Sequence, residues 1–202
     1  MKRAIRRPRI IAAQAACDRL PEESHYMDPA VGGGILENLG PHLIDLVCCF
    51  AGGEPVQVYA RGNRLPDRTK TPFDAVIGTL EFADGCVASF LISDHGEFSY
   101  SSKWFYEISD GKTHAVVYDH CRSVQLGGEA TERIDGSHTP PHETGSYELM
   151  ADFIAAVRDN RDPRVDGRAG LRAAIIQEAI LESIRRAQPV EPEFPPVART
   201  GL

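Results

Sequence analysis

Phe73-Asp74-Ala75-Val76-Ile77-Gly78-Thr79-Leu80-Glu81-Phe82-Ala83-Asp84-Gly85-Cys86-Val87-Ala88-Ser89-Phe90-Leu91-Ile92-Ser93 holds two apolar runs on either side of an Asp-Gly pair. An Asp-Gly pair favours the tight turn whose twist matches that of flanking strands, so the stretch predicts a β-hairpin. Asp110-Gly111 repeats the signal between residues 104–109 and 113–118, and Gly127-Gly128 offers a further turn after residues 122–126. Residues 8–17 form a β-compatible apolar run, and Val56-Gln57-Val58-Tyr59-Ala60 alternates. Hairpins make antiparallel neighbours without crossover helices. A sheet of about six strands follows.

Helical periodicity flanks this block. The first helix is expected over residues 35–50, ending at Gly52-Gly53. Pro41 lacks a backbone donor, so that helix either begins near Asn38 as its N-cap or is kinked. The second covers about residues 147–160, with Leu149, Phe153 and Val157 on one stripe. The third covers about 167–187, where Ala173, Ile176, Ile180 and Ile184 recur at helical spacing. This order reads as an α+β fold: an open, mainly antiparallel sheet with helices packed on one face. Residues 1–192 form one domain and residues 193–202 an extended tail. In the second hairpin strand, Cys86, Ala88, Phe90 and Ile92 fall on one side, yet Val87 and Leu91 fall on the other. A sheet apolar on both faces needs cover on both, which predicts a partner subunit on the sheet.

Composition excludes several classes. The 202 residues carry a net charge of −7, so no basic stripe is present to displace counterions from nucleic acid. No apolar run approaches the ~20 residues that cross a bilayer, and the basic start, with Arg6-Arg7, lacks the apolar core of a signal peptide. Cys17, Cys48, Cys49, Cys86 and Cys121 are odd in number and show no CxxC spacing. Free thiols in a reducing cytoplasm are the simplest account.

The chemistry-bearing stretch is Gly32-Gly33-Gly34-Ile35-Leu36-Glu37-Asn38-Leu39-Gly40-Pro41-His42-Leu43-Ile44-Asp45. On a helix Asn38 and His42 lie four apart and His42 and Asp45 three apart, so the three share one face. They are either hydrogen-bonded core residues or a site. The glycine run is a flexible lead into a helix; no strand precedes it, which speaks against phosphate binding. His138 and His142 bracket two prolines that forbid helical ligand geometry, and they read as a solvated loop. His114, His120 and Cys121 lie close in sequence, but strand alternation separates the three from one another. Trp104, Phe105 and Tyr106 read as sheet packing or interface anchors rather than a sugar-stacking platform. No metal-ligand set stands out.

This stretch resembles the signature GGG-x-L-x-D/N-x-G-x-H-x-I-D of the Gfo/Idh/MocA oxidoreductases, a family that includes glucose–fructose oxidoreductase and inositol dehydrogenase. Tyr147-Glu148-Leu149, Phe153-Ile154, Gly170-Leu171-Arg172-Ala173, Glu178-Ala179 and Glu182-Ser183 are similar to the family's closing helices. The resemblance implies the fold of the family's C-terminal domain, with the N-terminal dinucleotide-binding domain, its glycine-rich loop and its Glu-Lys-Pro lysine absent. It places His42 at the catalytic-histidine position and Asn38 where many members have Asp, making both the inherited catalytic and substrate-binding positions. It implies that Asp45 anchors the helix or orients His42. It implies a substrate-binding and oligomerisation domain of a nicotinamide-dependent sugar or polyol oxidoreductase. The nucleotide domain would then be a separate chain or lost; where a separately encoded dinucleotide-binding subunit exists, it holds NAD or NADP, and no residue of this chain does. Family members pair their sheets face to face, which implies a homodimer. The alternative is a non-catalytic binding or assembly module that kept the fold.

Overall fold

The computed structural model describes residues 5–28, 30–67, 71–96, 103–127, 132–135 and 145–195. The expected hairpin is present. β3 (Ala75–Phe82) and β4 (Val87–Ser93) run antiparallel with Glu81 opposite Val87. Gly85, at φ 82°, donates its N–H to the Phe82 carbonyl at 2.9 Å, and Asp84 Oδ1 accepts from Cys86 N at 3.0 Å. The second Asp-Gly turn joins β5 (Trp104–Ser109) to β6 (His114–Tyr118). There the Asp110 carboxylate accepts the N–H groups of Thr113 and Lys112, which hold it below the usual carboxylate range. β7 (Ser123–Gly127) and β8 (Glu132–Asp135) extend this meander.

Eight strands form one sheet, two more than expected, in the order β2-β3-β4-β1-β5-β6-β7-β8. The additional strands are β7 and β8, which carry the meander past β6, while β2 (Pro55–Asn63) runs longer than expected. The larger departure is β1 (Ile10–Ala16), which lies between β4 and β5, parallel to the first and antiparallel to the second. No hairpin turn can announce such a pairing, because α1, β2 and β3 intervene in the chain. β1 thus joins two meanders into one sheet.

One face of the sheet carries the core. Ile11, Ala88, Phe90, Ile92, Leu80 and Tyr106 project from the strands, all at most 1% exposed. They meet Leu36, Leu43, Ile44 and Val47 of α1 (Ile35–Ala51) and Ile176 and Ile180 of α3 (Gly167–Arg186), all buried. α1 starts at Ile35, not Asn38, and continues through Pro41. The residue before Pro41 is Gly40, which has no Cβ to clash with the proline ring. That absence also lets α1 approach the sheet and α3: a Cβ at Gly40 would stand 3.0 Å from Leu36 Cδ1 and 3.4 Å from Gln177 Nε2. α3 is pinned to the sheet edge by buried Ser183, whose Oγ accepts from Ala60 N of β2 at 2.9 Å and donates to the Gln188 carbonyl at 2.7 Å. An edge-strand donor that would otherwise be buried unpaired is thereby satisfied.

The second expected helix, α2 (Ser146–Arg158), forms but makes no extensive contact with the sheet. It is tied through its Asp152 carboxylate to Arg161 and to the Arg164 N–H of the following loop. Tyr147, Met150, Phe153, Ile154 and Val157 remain exposed, and only Ala156 is buried. The other sheet face is also open, with Ile10, Ile77 and Val87 exposed. Residues 193–195 carry no helix or strand, and 196–202 lie outside the described residues. Among the described residues no helix is long and apolar enough to cross a membrane.

Candidate functional site

The glycine run shapes the approach to α1. Gly33 and Gly34 have φ of 70° and 97°, a region that L-residues avoid. A Cβ at Gly34 would lie 2.6 Å from Thr71 Oγ1, and one at Gly32 would collide with the backbone of His25 and Tyr26. Gly32 and Gly33 donate their N–H groups to the Asp28 carbonyl at 2.8 and 3.0 Å, and Gly34 donates to the Tyr26 carbonyl at 2.7 Å. The turn thus uses its own donors to fix where α1 begins, and with it the face that carries His42.

His42 is exposed and lines a cavity of about 760 Å³ between α1, the start of α3 and the β6–β7 turn. Asp45, Trp104, His120, Cys121 and Arg122 share its wall with the apolar Leu46, Val165 and Ala173. The His42 and Trp104 rings meet edge to face, with centroids 5.9 Å apart and planes at 75°. The turn bearing His120 holds three successive residues, Asp119, His120 and Cys121, at φ of 52°, 55° and 64°. Arg122 Nη2 donates to Asp119 Oδ1 at 2.7 Å, which fixes that wall. Asp45 accepts from Arg172 Nη2 at 2.7 Å, so it anchors α1 to α3. A second hollow of about 480 Å³ adjoins the cavity, sharing Asp45, Val165 and Ala169. Beneath the floor, Tyr106 is fully buried, and burial pushes its phenol well above the usual range.

The structure therefore brings His42 and Asp45 into one site and leaves Asn38, half-buried one turn earlier, off its wall. Trp104 belongs to the site, whereas its neighbour Tyr106 packs in the core against Phe50. His120 and Cys121 stand together on the cavity wall, with His114 apart on β6. His138 and His142 lie outside the described residues.

Residues 2–112 match the family described as the GFO/IDH/MocA C-terminal domain. The chain belongs to this family. The matched segment runs through the glycine turn, α1 and the strands to β5, so it covers His42, Asn38, Asp45 and Trp104. Among solved structures, the fold is similar to aldose-aldose oxidoreductase from Caulobacter crescentus complexed with glycerol. The TM-score is 0.81 at 18% identity, over 93% of this chain and 56% of that one. An oxidoreductase domain protein from Kribbella flavida gives 0.83 at 19% identity, over 96% and 60%. Levoglucosan dehydrogenase in complex with NADH gives 0.78 at 20%, over 94% and 60%. The chain spans under two thirds of the length of these neighbours.

Levoglucosan dehydrogenase was solved with NADH, yet the glycine turn of this domain does not fit a dinucleotide. Its three N–H groups already serve the Asp28 and Tyr26 carbonyls, and no strand leads into it. Pyrophosphate cradles need those donors to converge on the ligand. Among the described residues no group of three metal-ligating side chains converges at the cavity. Away from it, Asp74, Asp94 and His95 place one ligand atom each within 4.8 Å of one another. Asp74 Oδ1 contacts His95 Nε2 at 2.7 Å, while Leu65 N and Leu20 N donate to Asp74 and Asp94. This set works as a node joining the ends of β3 and β4 to residues 20 and 65, and sequence spacing gave no sign of it.

Proposed function

We propose that this domain is the substrate-binding and oligomerisation half of a nicotinamide-dependent sugar or polyol oxidoreductase. The observation that carries the reading is His42 on the wall of a cavity that also offers an aromatic ring, a second imidazole and two fixed ion pairs. That mixture suits a ligand with apolar ring faces and many hydroxyls. His42 takes the proton from the substrate hydroxyl, a task suited to an imidazole near neutral pH. Asp45 is committed to Arg172, and Asn38 can exchange hydrogen bonds but holds no proton. The hydride acceptor, NAD or NADP, is held by a dinucleotide-binding domain that docks on this one. Two surfaces support such partners: the apolar flank of α2, and the open sheet face with Ile10, Ile77 and Val87. The sheet face forms the homodimer.

The test is to combine the chain with a family dinucleotide-binding domain and follow NAD or NADP reduction over a panel of aldoses and polyols. The expected result is turnover that His42→Gln lowers by about 10²–10⁴-fold, the usual worth of a general base. Unchanged turnover in that variant overturns the role of His42. Substrate binding without turnover in any combination favours the non-catalytic module, for which the absence of Asp at position 38 is the supporting observation. For assembly, light scattering at micromolar concentration should show a dimer that Ile77→Asp dissociates, and a monodisperse wild-type monomer overturns it.

A further inference from the structure

Strand alternation on β5 turns Trp104 and Tyr106 toward the helices and Phe105 toward the open face. Trp104 is half-buried on the cavity wall, and its indole is braced from two directions. His42 meets it edge to face at 5.9 Å, and Lys103 Nζ lies over the ring 5.6 Å from its centroid. The ring is thus preorganised, and it presents a surface that attracts electropositive groups. Polar groups also stand behind the wall. The Tyr106 hydroxyl is fully buried without a hydrogen-bond partner among the described residues, and Asp45 and Cys121 of the cavity wall act on it electrostatically. Arg172 Nε, on the far side of Asp45, is likewise unpartnered. Leu46 and Val165 add apolar surface to the same wall.

We propose that Trp104 is the substrate-positioning residue of this site: its indole receives the apolar face of a polyhydroxylated six-membered ring and sets a rim hydroxyl against His42. The polarised C–H bonds of such a ring match the negative face of the indole, whereas an open-chain polyol has no face to lay on it. The assignment rests on the reading of the cavity as a sugar or polyol site and adds to it a preference for rings.

Trp104 is the chain's one tryptophan, so its emission reports on the cavity directly. D-glucose and myo-inositol serve as ring probes and mannitol as the open-chain probe, each titrated into wild type, Trp104→Phe and Trp104→Leu by calorimetry. Wild-type emission is recorded in parallel. The rings should change the emission saturably. Trp104→Leu should bind them about tenfold more weakly, the worth of a good aromatic contact, with mannitol unaffected and Trp104→Phe in between. Ring binding with no change in emission, equal ring affinity in the variants, or an equal loss for mannitol each overturns the role of Trp104 and leaves the sugar-site reading standing. No binding of any probe to wild type overturns both. Should Trp104→Leu fail to fold, Trp104→Phe and the wild-type emission decide the matter.

Discussion

Arg172 of α3 donates from Nη2 to Asp45 Oδ1 of α1 at 2.7 Å, joining residues 127 positions apart in the chain. The pair sits between the two hollows and sets the spacing of the helices that wall them. Its side chains are 24% and 36% exposed, so water screens part of the attraction. A partly exposed pair of this kind contributes about 1 kcal/mol. Arg172→Met should therefore lower the melting temperature by about 2–4 °C for a domain of this size. A double-mutant cycle with Asp45→Asn should return a coupling of the same order. A coupling of zero would show that the helices are held by apolar packing alone.

Gly34 is the residue on which the position of α1 depends. Its φ of 97° strains any other residue, and a Cβ would press on Thr71 Oγ1. Gly34→Ala should cost about 1–3 kcal/mol. Gly53→Ala is the control, because a Cβ there meets nothing within 4 Å. Urea midpoints of the two variants should differ clearly; equal midpoints would mean that the turn relaxes freely.

Two buried thiols set an alkaline limit. Burial raises Cys48 to about 12 and Cys86 to about 11, against an ordinary value of 9.0. Between 9 and the raised values the unfolded chain loses protons that the folded chain keeps, so the free energy of unfolding falls as pH rises. The thiol contribution to stability should be constant below pH 9 and fall from there toward about pH 12. Cys48→Ala should flatten that fall in urea midpoints measured across the range. An identical slope in the variant would remove Cys48 as a cause.

The chain alone should bind neither NAD nor NADP. Every N–H of the glycine run is committed to a backbone carbonyl of the same loop, which leaves no cradle for a pyrophosphate. Calorimetry with the purified chain should show no saturable heat with either cofactor. Micromolar binding would contradict this and expose a site elsewhere.

Local physics made much of the fold legible in one dimension. Asp84-Gly85 and Asp110-Gly111 specify their turns through the conformations those residue types allow, so both hairpins follow from four residues. The helical stripe Ala173, Ile176 and Ile180 marks the face that α3 buries. The spacing of His42 and Asp45 is likewise a local property of α1, and it placed both on the face that became the cavity wall.

Other features depend on pairings that no short window contains. β1 reaches its parallel partner β4 only after a helix and two strands have intervened, so its place in the sheet is set by the closing of the whole core. α2 shows why periodicity stops short: an apolar stripe says that something covers a helix, not that the sheet of its own chain does. Pro41 lies inside α1 because Gly40 relieves its clash and packs against Gln177 of α3, a contact 137 residues away by numbering (177 − 40). Trp104 reads as one of three consecutive aromatics until the fold carries β5 alongside α1 and sets its ring against His42. The sequence by itself determined the elements, the turns between them and the polar face of α1, since each depends on neighbours within a few residues. Only the tertiary structure decided which side chains meet across the cavity, because those meetings are fixed by long-range packing of elements that carry no record of one another.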